Sequence, residues 1–155
     1  MTRSSPLVVV ILAAGLGTRM KSDLPKVLHK VAGKPMIRWS LDAVMPLGPD
    51  RTLVVVSPGQ DGVRREIADV AETAIQETAL GTGHAVKAAR AAIAPLAASG
   101  GTVLVLYGDT PLITTDTLRR LVDTRETADG PAAVVLGFEP QDPALYGRLV
   151  TAVDG

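Results

Sequence analysis

The sequence predicts an α/β fold: a three-layer, Rossmann-like, doubly wound and mostly parallel sheet with helices on both faces. Three observations predict it. Apolar, largely β-branched runs recur at residues 7–12, 51–56 and 102–106, with the unbroken hydrophobicity of strands buried on both faces. Segments of helical periodicity lie between them, so successive strands are joined by crossovers rather than hairpins. Glycine-bearing and polar residues follow the strands, at Gly15, Gln76 and Asp109. In an open parallel sheet such residues lie beyond the carboxyl ends of the strands, where ligands bind.

The elements follow in order. Residues 7–12 (Leu-Val-Val-Val-Ile-Leu) form the first strand and lead directly into Ala13-Ala14-Gly15. Pro35 opens a helix in which Ile37, Leu41 and Val44 recur at i, i+4 and i+7, and Gly48-Pro49 ends it. Trp39 reads as helix packing. Residues 51–56 form the second strand, punctuated by Ser57-Pro58-Gly59, and residues 61–70 a second helix with a solvated Arg64-Arg65-Glu66 face. Residues 71–76 read as a third, weaker strand. The clearest helix spans 81–96, alanine-rich, with Val86, Ala89, Ile93 and Leu96 as its buried stripe. A fourth strand covers 102–106, and Thr114 caps a helix containing Leu118, Leu121 and Val122. Residues 131–138 are expected to form a fifth strand. A further strand is expected to start at 149–153, where Asp154-Gly155 opens a hairpin turn without a returning strand, so the chain reads as cut within a motif.

Composition narrows the function. A chain of 155 residues suits one domain with a real core, burying roughly two-thirds of its unfolded surface. Sixteen basic and sixteen acidic side chains cancel, leaving no broad positive field for nucleic acid or an anionic membrane. Any polyanion must be held locally. The absence of cysteine excludes disulfides, thiolate catalysis and zinc–thiolate sites. No apolar stretch approaches the ~20 residues that span a bilayer, so a cytoplasmic location is expected.

The stretch from Leu12 to Met20, running on to Pro25-Lys26, carries the strongest chemical signal. Gly15 and Gly17 allow a sharp turn with exposed N–H groups, an arrangement that receives phosphate oxygens. Arg19 and Lys26 add two positive charges beside it, one a planar fork and one a compact point charge. A nucleoside triphosphate fits this pairing. A dinucleotide fingerprint fails because Met20 stands where a third glycine belongs and Val56-Ser57-Pro58 offers no acid at the next strand's end. A Walker loop fails because Gly33-Lys34 is followed by Pro35 and Leu28 stands at the required glycine. Asp109 reads on local sequence either as a turn residue in Gly-Asp-Thr-Pro or as a ligand for a hard cation. Gln76 reads as an exposed polar residue at a strand end. Neither His29 nor His84 shows a partner, and neither is assigned to catalysis.

Four ordered motifs then carry a resemblance. They are Leu12 to Met20 with Ser22-Asp23-Leu24-Pro25-Lys26 and Gly33-Lys34-Pro35; Gln76 with Leu80-Gly81-Thr82-Gly83-His84-Ala85; Leu106-Tyr107-Gly108-Asp109-Thr110-Pro111; and Tyr146-Gly147-Arg148. Together they resemble the sugar-phosphate nucleotidyltransferases, a broad family with MobA-like members. More narrowly, they resemble the N-terminal uridylyltransferase domain of bacterial N-acetylglucosamine-1-phosphate uridylyltransferases. The resemblance implies a Mg2+-dependent transfer of UMP from UTP to N-acetylglucosamine-1-phosphate, giving UDP-N-acetylglucosamine for cell-wall precursors. It gives Arg19 and Lys26 the catalytic role on the triphosphate and Asp109 the metal. Leu12, Ala13, Ala14 and Gly15 would floor the uracil and ribose, with Gly17 in the phosphate loop; Gln76, Gly81 and Thr82 would read the base. Tyr107, Gly108 and Gly147 would contact the nucleotide or the sugar side. Ala79 stands where relatives often carry a polar residue. The resemblance puts a second metal ligand, further sugar-binding residues and a trimer-forming β-helix with acetyltransferase activity beyond Gly155. Residues 1–155 are thus expected to be the N-terminal part of a nucleotidyltransferase domain, with oligomers only in a longer chain.

Overall fold

The computed structural model describes residues 5–15, 17 and 20–150, with Ala97 described by its backbone alone. Its centre is a four-stranded parallel sheet. The strands are β1 (Leu7–Leu12), β4 (Arg51–Val56), β5 (Glu72–Ile75) and β6 (Thr102–Tyr107). A two-stranded antiparallel ribbon, β2 (Lys30–Val31) with β3 (Lys34–Pro35), stands apart. The five helices among the described residues are α1 (Met36–Val44), α2 (Asp61–Ile67), α3 (Thr82–Ala88), α4 (Arg90–Ala97) and α5 (Thr115–Arg125).

The sheet is doubly wound because β1 is apolar on both faces. Val9 and Ile11 pack with Ile37, Leu41, Val63 and Leu118 from α1, α2 and α5. Val8 and Val10 pack on the opposite side with Ala85, Ala89 and Ile93 from α3 and α4. Side chains alternate across a strand, so a run of six apolar residues can serve two cores only in the middle of a sheet. From β1 the chain first builds outward through β4 to β5, then returns to add β6 on β1's other side. That reversal opens a crevice at the carboxyl ends of β1 and its neighbours. The register brings Leu12 level with Val55 on one side and with Tyr107 on the other.

Cross-ties hold the layers. Arg38 on α1 grips Asp69 with two guanidinium nitrogens at 2.8 and 3.1 Å and donates to the Glu66 carboxylate at 2.9 Å. The hydrogen bond from Arg38 holds the Asp69 carboxyl below its ordinary range. The Arg64-Arg65-Glu66 face is therefore not simply solvated: Glu66 is bonded to Arg38, and Arg64 Nε is buried without a partner among the described residues. Trp39 packs under the Lys34 ammonium, 3.8 Å from the ring centre, and donates to the Val31 carbonyl.

Three expected elements differ. The helix expected over 81–96 is interrupted at Ala89, whose ψ of −1° caps both α3 and α4. Pro95 inside α4 also lacks the N–H that would continue the ladder. Residues 131–138 are not a strand. They lie along the open side of β6, where they help line an apolar groove of about 860 Å³, but Val135, Leu136 and Phe138 remain exposed. A strand draws its stability from ladder bonds plus a half-buried face, and this segment has neither. Leu149 and Val150 are likewise outside any strand, and residues 151–155 fall outside the described residues. Sequence reading also missed the β2–β3 hairpin. Its two turn residues, Ala32 and Gly33, both have positive φ, 49° and 82°.

No helix among the described residues is long and apolar enough to cross a membrane.

Candidate functional site

The loop after β1 is built by continuing the sheet past its strands. Ala13 N–H donates to the Val55 carbonyl at 2.8 Å, and Gly108 N–H donates to the Leu12 carbonyl at 2.9 Å. Each bond carries the ladder one step beyond the strand ends. Ser57, at the end of β4, donates its hydroxyl to the Ala14 carbonyl at 2.7 Å, while its own N–H is held by the Gln60 side chain at 2.9 Å. Ala13 and Ala14 are consequently buried, whereas Gly15 emerges into open space. Ser57, which sequence reading took as strand punctuation, and Gln60, which it did not single out, hold this loop in place; a serine directly after a buried strand with a glutamine three residues on was the available signal.

A cavity of about 380 Å³ opens at this edge. It is lined by Leu12 at the end of β1 and Ala13, Ala14 and Gly15 after it, by Gln76, Gly81 and Thr82 beyond β5, and by Tyr107 at the end of β6 with Asp109 just past it. Gly17 and Lys26 close it from the returning loop. A volume of that order suits a small-molecule ligand.

The main polar contact in it is Lys26 Nζ donating to Asp109 Oδ2 at 2.6 Å. Lys26 begins a 3-10 turn whose next residue, Val27, is buried, so the turn is anchored and the ammonium is aimed inward. Asp109 follows Gly108, whose N–H is tied to β1, and the turn is closed by Thr110 donating to the Tyr107 carbonyl at 2.8 Å. Both charged side chains are about one-third exposed. A pair that exposed contributes roughly 0–1 kcal/mol to stability, so its geometry is worth little to the fold.

Two glycines serve this pair. Gly17 has φ +59°, and a Cβ there would sit 2.9 Å from Lys26 Cβ. Gly17→Ala is therefore expected to push Lys26 off Asp109 and, on the triphosphate reading of this loop, to weaken nucleotide binding by roughly tenfold or more while costing about 1 kcal/mol of stability. Calorimetric nucleotide titration alongside urea unfolding checks both. Gly108 lies beneath the cavity: a Cβ there would meet Ile37 Cδ1 at 2.9 Å and Val27 Cγ1 at 3.2 Å.

Gln76 is buried, 5% exposed, where local sequence suggested an exposed polar residue. Its N–H donates to the Val56 carbonyl at 2.8 Å, extending the β4–β5 ladder. Its side-chain nitrogen lies 3.2 Å from the Gly81 carbonyl and 3.2 Å from His84 Nδ1. His84 therefore has a partner that no sequence spacing displays.

The structure thus gathers Leu12, Ala13, Ala14, Gly15, Gly17, Lys26, Gln76, Gly81, Thr82, Tyr107 and Asp109 around one cavity. Gly147 is not among its walls and lies in the exposed segment that follows residue 138. Arg19 lies outside the described residues.

Comparison with known proteins accords with this architecture. The model of the MobA-like NTP transferase domain matches residues 9–153, nearly the whole chain. The chain belongs to the MobA-like NTP transferase domain family. Two curated relatives of this NTP transferase domain are named bifunctional protein GlmU. The one from Paramagnetospirillum magneticum is 55% identical over 152 residues, covering 98% of this chain and 33% of that protein. The one from Rhodospirillum rubrum is 54% identical over 146 residues, covering 94% and 32%. The chain therefore spans about a third of the length of these relatives. Among solved structures, Rv0371c from Mycobacterium tuberculosis superposes with a TM-score of 0.65 at 24% identity, covering 79% of this chain and 62% of that one. A nucleotidyl transferase from Methanothermobacter gives 0.60 at 24% identity, covering 77% and 58%. At that identity they establish the fold, an α/β nucleotidyltransferase fold with a mostly parallel sheet.

Proposed function

We propose that this domain transfers UMP from UTP to N-acetylglucosamine-1-phosphate, releasing pyrophosphate and leaving UDP-N-acetylglucosamine. The observation that carries the reading is the placement of Lys26, Asp109 and Gln76, from three separate segments of the chain, around one cavity. It is supported by family membership and by GlmU relatives that match across almost the whole chain.

In this reading a phosphate oxygen of the sugar phosphate attacks the α-phosphorus of UTP. A bond forms from that oxygen to the α-phosphorus, and the bond from the α-phosphorus to the bridging oxygen breaks, so pyrophosphate departs with the electron pair. No side-chain nucleophile or base is required, because a phosphate monoester with a second pKa near ~6 is already largely ionised at neutral pH. Positioning and charge neutralisation carry such reactions. Lys26 supplies a positive charge at the cavity wall, with Arg19 assigned the same task by resemblance. The exposed Gly15 turn leaves room for phosphate oxygens to approach backbone.

Asp109 fits a magnesium half-site. It is the one carboxylate lining the cavity among the described residues, and its second oxygen accepts nothing from them. Magnesium keeps several waters and takes one or two carboxylates plus substrate phosphates, so a single aspartate suffices on the protein side. When bound, the ion would neutralise charge on the phosphate oxygens. A manganese complex has been solved for the Mycobacterium tuberculosis structural neighbour. The direct test is pyrophosphate release by the purified chain given UTP, N-acetylglucosamine-1-phosphate and Mg2+. UTP-dependent release supports the assignment, and release from another sugar phosphate in preference would move the chain elsewhere within the family.

A further inference from the structure

We infer that His84 is a positioning residue that locks the Gln76 side chain so that only its carbonyl oxygen is offered to the base. The inference rests on the nucleotide reading above and deepens it. The orientation of the Gln76 amide is set first by Gly81. Its carbonyl oxygen can only accept, and the Gln76 amide group facing it at 3.2 Å is therefore the NH2 end. The same nitrogen lies 3.2 Å from His84 Nδ1. One amide hydrogen goes to Gly81 and the other to the histidine, so Nδ1 is the acceptor and the ring proton of neutral His84 sits on Nε2. Both donors of Gln76 are then used within the protein. Among the described residues nothing donates to its Oε1, and the side chain lines the cavity.

A glutamine alone is an ambiguous reader, because rotating its amide by half a turn exchanges donor for acceptor. Held from two sides it is not. A base that docks against Oε1 must bring an N–H. The uracil imide presents N3–H at the position where cytosine carries an unprotonated ring nitrogen, so the fixed acceptor favours uracil and opposes cytosine at that atom. His84 is half-buried in the first turn of α3, where the backbone that supplies Gly81 also supplies the ring. One short segment, residues 81–84, thereby fixes the orientation of the side chain that directly follows β5.

The experiment compares UTP and CTP binding, as magnesium complexes, to the full chain by titration calorimetry. The unmodified protein is expected to prefer UTP by roughly tenfold or more. His84→Leu removes the acceptor, and the preference is expected to shrink at least about threefold. His84→Asn restores an acceptor on Cγ at nearly the same place and is expected to keep the preference within about twofold. A merely structural histidine would weaken both nucleotides alike and leave the ratio untouched. As a readout independent of affinity, the Gln76 side-chain NH2 pair in the 15N–1H spectrum should shift in His84→Leu and return towards its original position in His84→Asn. Gln76→Leu separates the two levels of the argument. If it abolishes the preference while His84→Leu preserves it, the His84 inference fails and the base assignment stands. If Gln76→Leu leaves the preference intact, or the unmodified chain binds neither nucleotide, the nucleotide reading itself fails.

Discussion

Asp109→Asn is expected to lower pyrophosphate release by at least about a hundredfold while leaving the protein folded. The substitution keeps the size of the side chain and removes the charge that pairs with Lys26 and that the proposed divalent cation would require. Removing a single group that stabilises transition-state charge typically costs 10²–10³ in rate. The stability change should be under ~1 kcal/mol, because the Lys26–Asp109 pair is about one-third exposed. Lys26→Gln should fall in the same range. The double variant should be much less than multiplicatively worse, since the two side chains touch at 2.6 Å and, in the proposed reaction, act on one triphosphate. Steady-state assays of the four proteins, with urea melts beside them, measure this. Manganese binding followed by water relaxation should weaken in Asp109→Asn and persist in Lys26→Gln, which separates the two roles.

Ile37→Ala is expected to have the largest effect on stability. Ile37 is fully buried in the α1 face of the core, and its Cδ1 lies against Gly108 beneath the cavity. Truncating a buried isoleucine to alanine costs about 2–5 kcal/mol through lost burial and the cavity left behind. Against the ~5–15 kcal/mol that holds a typical domain folded, this is a large share. The urea midpoint should fall accordingly with little change in slope. Leu112→Ala, at a side chain 87% exposed, should shift stability by no more than about 0.5 kcal/mol. Equal losses at the two positions would contradict the assignment of the core.

Much of this arrangement is legible in the chain because burial on both faces leaves a strong mark. β1, β4 and β6 read as unbroken apolar runs, and the residues directly after them had to lie along one edge once the connections were crossovers. Gly15, Gln76 and Asp109 follow from that reasoning. Thr114 was readable as a cap, and its hydroxyl does accept from Thr117 N–H.

What escaped depends on partners distant in sequence or on weak local chemistry. The Ala32-Gly33 turn lacks the Asn-Gly or Asp-Gly signal that announces such a hairpin. The interruption at Ala89 occupies one residue in an alanine-rich stretch whose periodicity runs through it unchanged. Residues 131–138 have the composition of a strand, yet composition reports suitability for a half-buried pleat and not the presence of a neighbour. Gln76 appeared polar and exposed because nothing nearby in sequence reveals that Gly81 and His84 fold back over it. Gly147 came from motif resemblance alone, and no wall of the cavity includes it.

In the proposed function the crevice at the ends of β1, β5 and β6 holds a uridine nucleotide through Lys26, Asp109 and Gln76. Calorimetric titration of the purified chain with UTP and Mg2+ tests it most directly, using Asp109→Asn, Lys26→Gln and Gln76→Leu as folded comparisons. Saturable binding to one site is expected, weakened roughly tenfold or more in each variant. Binding of equal strength in all four proteins would contradict it.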